Sequence, residues 1–343
     1  MAVDPERAPI FVVGTGRSGT TLLRMMLCAH PRIHLTHEAS FYLWEARRTE
    51  ALRDYLRRYL DGLSFRWLGL DPAPMLADLS ADSPHRDFYA ALMRTAASAH
   101  GKPRFGDKTP GHSDKLGRIF EDFPDARVIR IVRDPVGVIR SLVRMPWFPG
   151  SVIAGAVLVG QEERQCAEYR DRLHEVKLEA LLDDPETVLR GVLEFVDEPW
   201  DPAVLDHTAH DPDDLPPLPW FQRATRKAER RAPRVPPDPA ETRLLELLSG
   251  KARAQHGYPP AVLEAEPGFF AKAARYLRDL PGFVTGNVAF LWTLWWVASP
   301  GGTDDPRTLA WFRRINPGAW RAHPDFEMPS PPPLPEGWDT NLP

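Results

Sequence analysis

Short, fully apolar runs alternate along the chain with longer segments whose apolar positions recur every three or four residues. The run Ile10-Phe11-Val12-Val13 passes through a glycine-rich stretch into residues 18–29, where Leu22, Leu23, Met25, Met26 and Leu27 repeat at helical spacing. That order predicts a buried strand, a tight turn and a helix. Residues 33–35 read as a second strand and residues 41–60 as one long amphipathic helix. A polar, proline-containing region at 71–84 follows, then a helical run at 88–99, the segment GDKTP at 106–110, a helix at 115–123 and a strand at 128–132. Pro135 comes next, at a position that suits the first turn of a helix. Residues 152–173 read as helical, 175–178 as one more strand, and 185–196 as a helix capped by Asp184. Strands alternating with helices in this way predict an α/β fold, a central parallel sheet covered by helices.

The alternation stops near residue 206. Prolines cluster in DPDDLPPLP and RAPRVPPDP on either side of the basic run 223–231, which reads as loops or lids, and a helix at 240–256 closes the core near Gly257-Tyr258-Pro259. The expected division is a domain at 1–260 and a mainly helical and irregular extension at 261–343. Within the extension, residues 283–298, FVTGNVAFLWTLWWVA, form the most apolar segment. At 16 residues it is shorter than the ~20 needed to cross a bilayer, and Gly286 and Asn287 interrupt it. Trp292, Trp295 and Trp296 suit a buried helix, a contact between two copies of the chain, or a membrane interface. The immediate flanks PGF and SPGG carry no basic residue, so burial against the protein or a second subunit is expected over membrane attachment.

Composition narrows the picture a little. With 343 residues, 43% of them hydrophobic, the chain can bury one large core or two smaller ones. A net charge of −4 gives no electrostatic reason to expect a nucleic-acid partner, so any anion site must be local. Cys28 and Cys166 lie in helical segments without metal-ligand spacing and read as buried free thiols. The start MAVDPERAPIF has charges and prolines where a signal peptide needs an apolar stretch, and a cytoplasmic location is expected.

The candidate chemistry begins in GTGRSGTTL, residues 14–22. Backbone N–H groups of residues 17–21 would converge on an anion at the helix N-terminus, with the hydroxyls of Ser18, Thr20 and Thr21 as further donors. Against the phosphate-binding pattern G-x-x-x-x-G-K-[ST], Gly14, Gly19 and Thr21 fit, but Thr20 stands at the lysine position and Arg17 is the loop's only cation. On these residues alone, a small-molecule kinase and a non-catalytic nucleotide-binding scaffold both stay open; the missing lysine speaks against the kinase.

The stretch PIFVVGTGRSGTTLLRMMLCAHPRIHLTHEASFYL resembles the opening of sulfotransferases that use 3′-phosphoadenosine 5′-phosphosulfate (PAPS), in particular their carbohydrate, bacterial and tyrosylprotein branches. The resemblance runs over about residues 9–258 and implies a P-loop-like three-layer fold, PAPS as sulfuryl donor, no metal, and a hydroxyl-bearing small-molecule, carbohydrate or peptide acceptor. It implies phosphosulfate contacts for Arg17, Ser18, Gly19, Thr20 and Thr21. A strand running into Arg133-Asp134-Pro135, with Ser141 eight residues after the arginine, matches the family's 3′-phosphate element; by itself it could be a strand ending in a structural Arg–Asp pair. Glu38, after the second strand, matches the family's base, with the alternative that it only opens a helix. Lys108 in GDKTP matches a catalytic lysine of the tyrosylprotein branch, against the alternative of a surface lysine after a strand. His37 and His112 are rival bases; His37 is expected on the other side of the chain from Glu38. Lys227, in the basic run, is the candidate at the nucleotide lid, although the segment lacks the family's arginine-lysine-glycine signature. Leu178 stands where the family has an aromatic residue before a glutamate. The acceptor pocket is expected from the helix after Phe41, the stretch 145–159 with Trp147 and Phe148, and the proline-rich loops.

Overall fold

The computed structural model describes residues 8–44, 51–80, 82–145, 148, 150–209, 238–260, 266–297 and 333, with side chains in the last helix followed as far as Val284. Lys227, Trp147, the proline-rich loops and the C-terminal tail therefore lie outside the described residues, apart from position 333. In chain order, β1 (Ile10–Val13) leads into α1 (Thr20–Ala29), and β2 (Ile33–His37) into the short α2 (Phe41–Trp44). Then α3 (Leu52–Asp61), α4 (Leu63–Arg66), α5 (Ala73–Leu76) and α6 (His85–Ala99) carry the chain to β3 (Arg104–Lys108). A 3-10 segment, Pro110–Lys115, and α7 (Leu116–Asp122) precede β4 (Arg127–Val132), while α8 (Pro135–Leu142) and α9 (Val152–Ala167) precede β5 (Leu173–Lys177). The remaining elements are α10 (Leu178–Asp183), α11 (Pro185–Phe195), α12 (Pro239–Gln255) and α13 (Phe269–Val297), with short 3-10 turns between.

The five strands form one sheet in the order β2-β3-β1-β4-β5, parallel throughout. Because strand side chains alternate between faces, β1 feeds two cores. Phe11 and Val13 join a cluster with Tyr42, Tyr55, Phe88 and Phe105 on one face, while Ile10 and Val12 join Leu23, Leu27, Leu189 and Val192 on the other. A third cluster, including Ile139, Met145, Phe148, Val152 and Leu244, binds α8, α9 and α12 together. Met145 and Phe148, expected from sequence at the acceptor pocket, are thus part of a buried cluster. Cys28 and Cys166 are buried free thiols.

Several element boundaries differ from the sequence reading. β2 runs on through Thr36 and His37, which are polar yet buried, so hydropathy ended the strand too early. The long helix expected at 41–60 is in two pieces, α2 and α3, separated by residues outside the described set; the same apolar spacing continues on both sides, and periodicity alone cannot show such a break. β5 ends at Lys177, which puts Leu178 at the head of α10.

The largest difference is α13. The apolar run at 283–298 is not a separate short helix: through Val297 it is the second half of a 29-residue one that passes through Pro281, Gly286 and Asn287. Its first half holds Lys272, Arg275 and Arg278, the basic residues missing from the immediate flanks. Burial does not extend evenly along it either. Phe269, Phe270, Leu277 and Val284 are exposed, while the opposite side turns Asp279 into the protein. Among the described residues, no helix is long and apolar enough to cross a membrane.

Candidate functional site

The glycine turn leaves β1, the central strand, at the carboxyl edge of the sheet. Gly14 has φ +141° and a Cβ there would meet the carbonyl oxygen of Ile131 at 2.4 Å; at Gly19, φ is +107° and a Cβ would meet Leu178 at 2.7 Å. Only glycine fits either position. Arg17 adopts a left-handed backbone as well, with φ 75°.

The start of α1 has no side-chain cap, which it shares with α3, α5, α6, α7 and α10 but not with four later helices. Side chains of Asp134, Ser151, Asp184 and Asp238 cap α8, α9, α11 and α12. At α1 the capping position is Gly19, and no side chain caps the helix. The first N–H groups of a helix have no partner within it, and here they are left to something other than a cap. Ser18 lies beside them, buried, with an Oγ that has no hydrogen-bond partner among the described residues. Thr20 is buried and Thr21 half-buried in the first turn.

The second element meets this turn directly. Arg133 Nη1 donates to the Arg17 carbonyl at 3.1 Å, and Arg17 Nε donates to Ser141 Oγ at 3.2 Å. Gly137, one turn into α8, leaves room for the guanidinium, since a Cβ there would be 2.9 Å from Arg133 Nε. Burial pulls Arg133 below the usual arginine range, with Glu179 and Asp134 acting the other way. The carboxylate of Asp134 goes elsewhere: it accepts from Val136 N as the α8 cap and pairs with Arg253 at 3.0 Å. Glu179 receives Asp134 N and the Tyr258 hydroxyl, at 3.1 and 2.6 Å. Arg253 and Tyr258, at and just after the end of α12, are therefore tied to the Arg-Asp-Pro loop.

The third element is a carboxylate and a lysine brought together by strand register. β2 pairs with β3 so that His37 faces Lys108, and Glu38 emerges next to the end of β3. Lys108 Nζ donates to Glu38 Oε1 at 2.7 Å. Lys108 is completely buried, whereas the Glu38 side chain is 37% exposed. Burial lowers the lysine's pKa and the adjacent carboxylate opposes that effect. The surface-lysine alternative is thus excluded by position. A backbone bond from Gly14 N to Pro110 O at 3.2 Å joins the first and third elements, and one from Glu38 N to Lys108 O at 2.7 Å holds the third together.

The two histidines have other partners. His37 is buried and its Nε2 lies 2.9 Å from the Trp67 carbonyl. His112 is fully buried, with Nδ1 3.2 Å from Asp107 and Nε2 3.4 Å from Tyr42 N.

Sequence reasoning passed over Asp107 and Thr109, which flank Lys108 and bond to the turn carrying Glu38. The signal was present in GDKTP, but their partners lie about 70 residues away, and no local pattern shows them. Arg24 was also passed over: it is completely buried in α1 and its Nε donates to Leu35 O at 2.7 Å, bracing β2 ahead of Glu38.

The profile of the sulfotransferase family matches residues 9–202. Among known relatives, a protein-tyrosine sulfotransferase of Drosophila melanogaster is 29% identical over 216 residues, covering 59% of this chain and 40% of its own. Protein-tyrosine sulfotransferase 1 of Danio rerio is 28% identical over 221 residues, covering 58% of this chain and 55% of its own. The chain thus spans about half the length of these relatives. In fold, it is similar to the sulfotransferase domain of the Synechococcus PCC 7002 olefin synthase, with a TM-score of 0.54 and 23% identity over 75% of this chain and 98% of that one.

Proposed function

The chain belongs to the sulfotransferase family, and from that premise we propose that it passes a sulfuryl group from PAPS to an acceptor hydroxyl, with Glu38 as the general base. The observation that carries this reading is the meeting, at one sheet edge, of three segments far apart in sequence: the Arg17 turn, the Arg133–Ser141 element and the Glu38–Lys108 pair. The residues fit such a donor. An uncapped helix start, the buried Ser18 hydroxyl and Arg17 suit a phosphosulfate, and Arg133 with Ser141 suits a second phosphate. When bound, the donor supplies a sulfuryl group on a phosphate leaving group.

The protein's own groups then divide the work. Lys108 holds Glu38 through Oε1, which leaves the rest of a partly exposed carboxylate to accept the proton of an incoming hydroxyl. The same ammonium, buried beside Glu38, favours negative charge that develops on an oxygen next to it. Arg17 offers a planar fork at the crown of the turn, and its left-handed backbone is held by Arg133 through the carbonyl. Acceptors are taken to be hydroxyl compounds of low molecular weight, carbohydrates or peptides.

The direct test is Glu38→Gln, assayed for PAPS consumption with a panel of phenols, sugars and tyrosine peptides. Turnover falls by about a hundredfold or more, the scale of general-base catalysis, while 3′,5′-adenosine bisphosphate binds as in the wild type. Wild-type turnover in this variant moves the base elsewhere.

A further inference from the structure

Glu38 and Ser40 both have left-handed backbones, with φ 38° and 55°, although neither is glycine. Residues bearing a Cβ resist that region and stay there only where the surroundings over-determine it. Here the surroundings are three consecutive residues of one strand end. The N–H groups of Glu38, Ala39 and Ser40 donate in turn to the Lys108 carbonyl at 2.7 Å, to Asp107 Oδ1 at 3.0 Å and to Thr109 Oγ1 at 3.0 Å. Tyr59 closes the other side, its hydroxyl donating to the Ala39 carbonyl at 2.8 Å.

The side chains that hold the turn are themselves held. Thr109, having accepted from Ser40, also helps to keep the Asp107 carboxyl ionised. Asp107 is completely buried and also accepts from Thr36 Oγ1 at 2.6 Å, with His112 Nδ1 3.2 Å from its other oxygen. Burial pushes the carboxyl up, but His112, Thr36 and Thr109 together bring it down to about 2, so it is a fixed anion at any working pH. A fixed acceptor of this kind suits a turn whose shape must not vary.

We propose that Thr109 and Asp107 are positioning residues for sulfuryl transfer, acting by clamping the strained Glu38–Ser40 turn so that the Glu38 carboxylate stays where the acceptor hydroxyl must meet it. The inference rests on the reading of Glu38 as base. It differs from a role in stability alone, because loosening the turn then alters the chemical step of molecules that remain folded.

The test uses the full chain with Thr109→Val, which removes the acceptor for Ser40 N at nearly constant shape, and Thr109→Ser, which restores it. Amide exchange at Ser40 accelerates at least about tenfold in Thr109→Val. Its kcat falls about ten- to a hundredfold, with KM for the acceptor and Kd for 3′,5′-adenosine bisphosphate within about twofold of wild type, and Thr109→Ser recovers most of the loss. Unchanged exchange overturns the clamp; faster exchange with wild-type kcat overturns the positioning role. Should Thr109→Val fail to fold, Ser40→Gly gives a second route, since glycine adopts the left-handed backbone without a clamp. In that background Thr109→Val costs less than about threefold in kcat, and an undiminished loss there contradicts the strain argument. A wild type that consumes no PAPS with any acceptor refutes the functional reading and the catalytic half with it, while the exchange measurement still decides the clamp.

Discussion

The carboxyl edge of the sheet and the contact between α13 and α9 both bury polar groups, but they use them differently. At α13, Asp279 is turned into the protein and meets Ser151 Oγ, Val152 N and Ile153 N at 2.7, 2.9 and 3.0 Å, capping α9 from outside. Ser151 in turn accepts from Ala154 N. Donors and acceptors match, which is what a buried polar joint needs for stability. The sheet edge keeps capacity in reserve: α1 starts without a cap, the buried Ser18 hydroxyl has no partner among the described residues, and Arg133 is half-buried beside the turn. A satisfied cluster is a joint. One with unused donors at a helix start is a candidate site, and the glycines at 14 and 19 let the turn pack closely against Ile131 and Leu178.

Two substitutions sharpen this contrast. Asp279→Ala removes three hydrogen bonds from the joint and uncovers the start of α9, so it lowers stability by about 2–3 kcal/mol in chemical denaturation. Bisphosphate affinity of the folded fraction is unchanged. A variant with full stability breaks the description of Asp279 as an anchor. Gly137→Ala acts at the site with a smaller effect. The added methyl crowds the flexible end of Arg133 and leaves backbone untouched. Alanine also favours the helix by as much as about 1 kcal/mol. Stability therefore holds or rises while bisphosphate affinity, read by calorimetry, drops by about tenfold, the value of a charge-assisted hydrogen bond. Unchanged affinity would show that Arg133 has room to spare.

How much of this could be read from sequence depends on the range of the interactions. The order of β1, glycine turn and α1 was legible because the apolar run and the glycines are contiguous, and the Arg-Asp-Pro turn because Pro135 and the capping Asp134 act within α8 itself. Lys108 was legible as a motif residue but not as a buried one. A lysine reads as solvent-exposed until its carboxylate is known, and Glu38 reaches it only through the pairing of β2 with β3. Thr36 and His37 hid the end of β2 because their polarity is satisfied by Asp107 and by the Trp67 carbonyl. α13 was read as a short apolar helix since its first half has the pattern reversed, with Asp279 inward and Phe270 and Leu277 outward. A periodicity search assigns the charged side to solvent by default.

The central claim is that two anion elements, one at Arg17 and one at Arg133 and Ser141, form a single site for a nucleotide carrying phosphate at both ends of its ribose. Calorimetric titration of the full chain with 3′,5′-adenosine bisphosphate and with AMP measures this most directly. The bisphosphate binds about ten- to a hundredfold more tightly, as expected for one added charge-assisted contact, and Arg133→Ala abolishes the difference. Equal affinities of the wild-type protein for the two ligands would contradict it.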